Sequence, residues 1–158
     1  MTTTRFAVDT MLGRLATWLR LIGQDAIYGS HLGGRSLIRQ ARAENRTILT
    51  RDHRVRRTAT GLSVIFVTSD DFRAQLRQVT HACGLDPFAA LFTRCIACNT
   101  LVVPVLKAAV ANQVPPYVLA TQEHFARCPH CSRIYWAGTH NDRVREELER
   151  MGYQPPRN

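Results

Sequence analysis

Lysine is nearly absent. Lys107 is the single lysine of a 158-residue chain that carries twenty arginines. Acidic residues are scarce beside them, 12 against 21 basic, for a formal charge of +9. A solubility requirement alone is met more often by acids, so an arginine surplus points to a polyanionic partner, whose phosphates the planar guanidinium fork suits. Apolar runs of bilayer-spanning length are missing, which argues against a membrane-spanning segment. No basic leader followed by an apolar stretch opens the sequence, so a soluble, cytoplasmic protein with reduced thiols is expected. Internal repeats are missing as well. So is a phosphate-binding glycine loop, because Gly29-x-x-x-Gly33-Gly34 lacks the lysine and the preceding strand that a Walker motif needs.

Cysteine is also sparse, and its placement is informative. Four of the five cysteines form two Cys-x-x-Cys pairs, Cys95/Cys98 and Cys128/Cys131, with 29 residues between them. Two residues between cysteines let both thiolates converge on one ion, and two such pairs complete a tetrahedral, closed structural zinc site. A closed shell leaves no position for a substrate, so catalysis is expected elsewhere. His130 lies between the last two cysteines, but four thiolates already fill the shell; Cys83 reads as a small buried hydrophobe.

The first part of the chain alternates short apolar runs with helical periodicity. Strands are expected at Arg5 to Val8, Asp25 to Tyr28, Thr47 to Thr50 and Val64 to Val67. Helices are expected over Met11 to Ile22, over Ser36 to Glu44 and onward from Asp70. This order implies an α/β fold with a mostly parallel sheet flanked by helices. The length suffices for one such core, residues 1–93, and a smaller four-cysteine module with a C-terminal helix, residues 94–152, before a flexible tail at 153–158. In the module, Thr100 to Leu106 should be extended, Lys107 to Asn112 helical, and Val114-Pro115-Pro116 a break. Val144, Leu148 and Met151 form an apolar stripe fit for docking the last helix.

Three strand ends carry acids. Asp9 follows the first strand, Asp52 the third, and Asp70 and Asp71 the fourth. In a parallel sheet these ends share one edge, so the carboxylates should gather there as an oxygen cage for magnesium or manganese. Such a cage supports phosphodiester hydrolysis, because a divalent cation lowers the pKa of its water and offsets transition-state charge. Arg51, Arg54, Arg56 and Arg57 crowd around Asp52 and would seat the phosphates, with Arg14 and Arg20 on the first helix adding to them. Singly each aspartate reads as a helix cap or an ion-pair partner; jointly, at equivalent strand ends, they read as a site.

The run Phe6, Asp9, Met11-Leu12-Gly13-Arg14-Leu15, Trp18-Leu19-Arg20, Gly23, Asp25 and Tyr28, then Thr50-Arg51-Asp52, resembles the Mut-seven C-terminal RNase domain family. So do Arg94-Cys95, Cys98-Asn99, Val114-Pro115, Phe125, Cys128, Cys131, Tyr135-Trp136, Gly138 and His140. The resemblance covers roughly residues 5 to 151. It implies a PIN-like fold with a zinc ribbon behind it, and a metal-dependent endoribonuclease whose acids are Asp9, Asp52 and Asp70 or Asp71. RNA, single-stranded or structured and with transfer and ribosomal RNA among the candidates, is the implied substrate. One position departs from the pattern. The family tends to carry another acid at the start of the second helix, where this chain reads Gly33-Gly34-Arg35-Ser36. Glu44 is about two turns further along and does not substitute. Two other readings therefore stand beside the nuclease: an RNA-binding protein with a decayed site, and a zinc-ribbon adaptor for a ribonucleoprotein or protein partner. Tyr135 and Trp136 are open between base stacking and packing.

Overall fold

The structure, a computed structural model, describes residues 3–157. A first layer is built on four parallel strands: β1 (Phe6–Val8), β2 (Ala26–Ile27), β3 (Thr47–Thr50) and β4 (Val64–Phe66), in the order β2-β1-β3-β4. The register pairs Phe6 with both Ala26 and Thr47, and Thr50 with Phe66. All three β1 residues are fully buried, as both-face coverage demands. The crossovers are α1 (Gly13–Leu21), α2 (Gly34–Glu44) and α3 (His53–Thr58), and α4 (Phe72–Cys83) follows the last strand. One apolar cluster joins β1 to α1 and α4 around Phe6, Leu15, Leu19, Leu49 and Leu76; a second lies beneath α2 and α3 around Leu37, Ile48 and Val55.

A second, antiparallel sheet follows: β5 (Val103–Val105), β6 (Phe125–Arg127) and β7 (Ile134–Trp136). Its own core is small, with Val110, Val114, Val118 and Phe125 beneath α5 (Lys107–Val110) and α6 (Pro116–Thr121). The last helix, α7 (Thr139–Arg150), turns back onto the first layer. Val144, Leu148 and Met151 lie in the same cluster as α1 and α4, and Glu147 pairs with Arg73 on α4.

Three elements depart from the expectations above. The helix over Met11 to Ile22 is divided: a 3-10 turn at Thr10–Leu12 precedes α1. Helix α3 was not anticipated, because Val55 is the one buried residue of a six-residue charged segment and periodicity is lost in so short a run. Helix α6 forms where Pro115-Pro116 suggested a break, since a proline in the first helical turn lacks only an N–H that would have no intrahelical partner. Asn158, the end of the expected tail, lies outside the described residues.

The two sheets are braced through β2, the edge strand. The Asn99 side chain accepts from Ala26 N at 2.9 Å and donates to Asp25 Oδ1 at 2.8 Å, and Arg94 donates to Gly23 O at 3.1 Å. Gly23 adopts φ +82°, and a Cβ there would fall 2.2 Å from Ala90 O, so this close approach admits glycine alone. Arg46, 7% exposed, bonds Asp25 Oδ1 at 2.6 Å, Glu44 Oε2 at 2.5 Å and Phe6 O at 3.2 Å. Burial alone would push the Asp25 carboxyl up. The hydrogen bonds from Arg46 and Asn99, with the guanidinium charges of Arg46 and Arg94, outweigh it and hold the group below the usual carboxylate range. Asp25 thus contributes stability that is full above the unfolded carboxylate pKa and is lost as pH falls through the lower folded value. Arg46→Ala is expected to cost about 3 kcal/mol, because it strands a half-buried carboxylate. Urea melts at neutral pH and near pH 3 should show the deficit shrinking in acid; a deficit unchanged with pH would rule out the pair as its cause.

Candidate metal centres and arginine surface

Asp9 ends β1 and Asp52 follows β3, and these strands are neighbours. The chain runs from β1 outward to β2 and then returns to the other side of β1, so the strand order reverses between β1 and β3. A crevice beyond the carboxyl ends at such a reversal is where open α/β sheets hold ligands. Asp9 is 2% exposed. Its Oδ1 accepts from Thr10 N at 2.8 Å, which starts the 3-10 turn, and its Oδ2 accepts from Thr50 Oγ1 at 2.6 Å. Among the described residues no Arg, Lys or His side chain forms an ion pair with it.

Thr50 holds the two acids in register. While its hydroxyl donates to Asp9, its oxygen accepts from Asp52 N at 2.9 Å. Asp52 caps α3 by accepting from Arg54 N at 2.7 Å through Oδ1, which leaves Oδ2 without a donor among the described residues. In the sequence Thr50 stands only as part of the Thr50-Arg51-Asp52 triplet; the signal that marks it is a polar residue closing the buried stretch Ile48-Leu49. Thr50→Val would leave the Asp52 N–H unpaired and remove a donor from a buried carboxylate. The expected loss is about 2 kcal/mol of stability, readable by thermal or urea unfolding, whereas Thr50→Ser should retain most of it. A loss in Thr50→Ser with none in Thr50→Val would mean that the methyl group matters and not the hydroxyl.

Asp71 caps α4 by accepting from Ala74 N at 3.1 Å and lies 4.0 Å from Arg73, and Asp70 is exposed in the turn before it. Asp9, Asp52, Asp70 and Asp71 do not draw together as three carboxylates within ligand distance of one another. The N-terminus of α2 closes the near side: a Cβ on Gly33 would sit 3.9 Å from Asp9 Oδ1 and 3.4 Å from Thr10 Cγ2. Gly33 thus borders Asp9, whereas Gly34, at φ +53°, has nothing within 4 Å of an added Cβ but a backbone conformation that side chains rarely adopt.

The arginines divide by burial. Arg54, Arg56 and Arg57 are exposed on α3, Arg56 lying over the Phe66 ring at 5.0 Å, and Arg51 is half-buried before them. Arg14 is exposed in the first turn of α1, 3.8 Å from the centroid of Phe72. Arg20 differs from the expectation of a surface contact. It is 6% exposed and donates to Ala26 O at 2.9 Å, Ile96 O at 2.9 Å and Ala97 O at 3.2 Å. With Nε and Nη1 held by three carbonyls, it braces the first cysteine turn against β2.

The four cysteines converge. Cys95, Cys98, Cys128 and Cys131 place their Sγ atoms within 4.8 Å of one another, with Cys98 to Cys128 at 3.3 Å and Cys95 to Cys131 at 3.6 Å. Four thiolates at Zn–S bonds of about 2.3 Å stand roughly 3.8 Å apart, so the cluster has the donor set and nearly the size of a tetrahedral centre. Its two turns repeat one geometry. Asn99 and Ser132 each follow a pair at positive φ, 69° and 65°, and each N–H donates 2.9 Å to the carbonyl of the first cysteine. Tyr135 Oη donates to Cys95 Sγ at 3.0 Å and accepts from Ile96 N at 3.2 Å. Of the two roles open to that tyrosine, stacking and packing, its hydroxyl takes neither and belongs to the cysteine centre.

The family model described as the Mut7-C RNAse domain matches residues 4–148, nearly the whole chain. No curated protein and no solved structure matches it. Among the described residues no helix is long and apolar enough to cross a membrane.

Proposed function

Since the chain belongs to the Mut7-C RNAse domain family, we propose that it hydrolyses RNA phosphodiester bonds with a divalent cation held at Asp9 and Asp52. The observation that carries this reading is Asp9 itself, a carboxylate 2% exposed, with hydroxyl and amide donors but no cationic partner among the described residues. Buried charges are paired or coordinate metal, and the neighbouring carboxylates and hydroxyls are hard oxygen donors that fit magnesium or manganese. When bound, such a cation supplies an activated water and offsets charge on the phosphoryl oxygens.

The chain's own residues do the rest. Asp9, fixed by Thr10 and Thr50, presents a ligand that neither rotates nor escapes to solvent, and Asp52 offers Oδ2 across the reversal point. Asp70, exposed beyond β4, is free to accept a proton or a further ligand role. The α2 N-terminus beside Asp9 presents backbone N–H groups that favour a phosphate, and the α3 arginines bind the strand flanking the scissile bond. The four-cysteine centre holds zinc as a structural ion and keeps the ribbon in place.

The Gly33-Gly34 sequence favours a second reading, an RNA-binding protein that no longer cleaves. Structured and single-stranded RNAs incubated with manganese or magnesium separate the two: cleavage abolished by both Asp9→Asn and Asp52→Asn supports the nuclease. Binding without cleavage, unaltered in those variants, would leave only the binding protein.

A further inference from the structure

The aromatic residues of the ribbon line a cleft that the two carboxylates do not use. It has a volume of about 640 Å³ and opens between the small sheet, the end of α1 and the start of α7. Phe92, Phe125, Tyr135 and Trp136 contribute ring surface, and Leu106, 80% exposed, stands at its margin. Among the described residues the Trp136 indole N–H has no hydrogen-bond acceptor, whereas the neighbouring Tyr135 hydroxyl is engaged by Cys95 and Ile96. The cleft's charged side chains cancel or are committed: Lys107 pairs with Glu123 at 2.8 Å, and Arg94 bonds two carbonyls. The polar groups left to it are His124, His140 and Asn141.

This cleft is not isolated. His140 also borders a second groove, of about 500 Å³, that runs between α1, α4 and α7. That groove is floored by Trp18 and Phe72, whose rings stack at 5.6 Å, and Arg14 lies over Phe72. Its acids are already neutralised, Glu147 by Arg73 and Arg150, and Glu146 by Arg150. Arg14 and Arg143 carry the uncompensated charge. Arg14 sits five residues after Asp9, on the helix that leaves the carboxyl edge of the sheet. Cations with aromatic floors along a groove, ending in an uncharged aromatic cleft with a free N–H donor, match a polyanionic strand with flat heterocycles. A peptide would find apolar walls in the cleft but nothing to pair with Arg14 and Arg143 on the way.

We propose that a single-stranded RNA leaving the Asp9 edge follows the Arg14–Phe72–Arg143 groove, turns at His140 and inserts one unpaired base into the Phe92–Trp136 cleft. This rests on the reading of the chain as RNA-directed and makes the ribbon a base-holding subsite remote from cleavage. A duplex does not fit the site, because its bases are already stacked and its edges paired. The cleft would thus select substrates with an unpaired nucleotide at a fixed distance from the scissile bond.

The chain has two tryptophans; full-length Trp18→Phe protein keeps an aromatic floor in the groove and leaves Trp136 as its one tryptophan, and it serves as the background once anisotropy shows wild-type affinity. Single-stranded uridine octanucleotides without added magnesium or manganese should quench that emission saturably, with the same midpoint as fluorescence anisotropy of a labelled copy. Moving one abasic site along the octamer should reveal a position at which affinity falls about tenfold. Leu106→Asp, which puts a carboxylate at the cleft margin without touching a core, should weaken binding similarly and erase that positional effect. Binding by anisotropy with unchanged Trp136 emission, no sensitive abasic position and wild-type affinity in Leu106→Asp would overturn the subsite while leaving the nuclease intact. Absence of binding in every readout, together with absence of cleavage, would remove the RNA-directed reading itself.

Discussion

Asp9→Asn should abolish RNA cleavage and, in protein free of added divalent cation, make the fold more stable. Both effects follow from one residue. Among the described residues the carboxylate is buried without a counter-charge, so the metal-free protein bears the cost of burying it. Asparagine keeps the oxygen that accepts from Thr10 N or Thr50 Oγ1 and removes the charge. Active sites commonly hold such destabilising groups, and neutralising them commonly gains about 1 kcal/mol or more while function is lost. The loss of rate should be about a thousandfold or greater, equivalent to roughly 4 kcal/mol of transition-state stabilisation. Adding manganese should raise the melting temperature of the wild type and leave Asp9→Asn unmoved, by simple linkage of ligand to the folded state. Wild-type cleavage in Asp9→Asn would end the assignment of Asp9 as a ligand. A fall in stability would show instead that the charge is already compensated in the folded protein. Asp52→Asn tests the partner position with less effect on folding, since Asp52 is only half-buried and its capping oxygen survives the change.

The strands and their acids were legible in the sequence for a definite physical reason. A strand buried on both faces reads as a short continuous apolar run, and an acid at its end stands out against that run, as at Phe6-Ala7-Val8-Asp9 and Thr47 to Thr50 before Asp52. The paired cysteines were legible because two thiolates that converge on one point need a short, fixed spacing, and the four Sγ atoms do lie within 4.8 Å of one another. Long-range polar contacts were not. Arg20 falls outside the apolar face of its helix and looks like any surface arginine; its burial depends on carbonyls of Ile96 and Ala97, more than seventy residues away. Arg46 and Asp25 likewise meet only when β1, β2 and β3 are assembled. The short helices α3 and α6 escaped because each offers a single buried residue, Val55 and Val118, and one residue has no period. The carboxylate group shows the opposite case. All four acids follow strands of one parallel sheet and so share its carboxyl edge, but Asp9 and Asp52 stand at adjacent strand ends while Asp70 and Asp71 lie beyond the edge strand β4, and the set does not close to ligand distance.

Removing zinc should divide the molecule along a boundary that does not follow the order of the chain. The ribbon's three strands have three residues each, and its core is four buried side chains. That much burial cannot order some forty residues, and structural zinc typically contributes on the order of 10 kcal/mol to folding of such modules. Chelation, or Cys128→Ser, should therefore release residues 95–136 to hydrogen exchange almost completely. Helix α7 should stay protected although it follows the ribbon, because Val144, Leu148 and Met151 pack in the α1–α4 core and Glu147 pairs with Arg73. The first layer should be weakened at one edge only. With the cysteine turn gone, Arg20 loses the Ile96 and Ala97 carbonyls and Asp25 loses Asn99, so exchange should rise in β2 and at the end of α1, while β3 and α4 remain as before. Exchange measured by mass spectrometry with and without chelator resolves these segments. Retained protection across 95–136 in metal-free protein would refute a zinc-dependent ribbon. Release of α7 together with the ribbon would show that the last helix depends on the metal module and not on the first core.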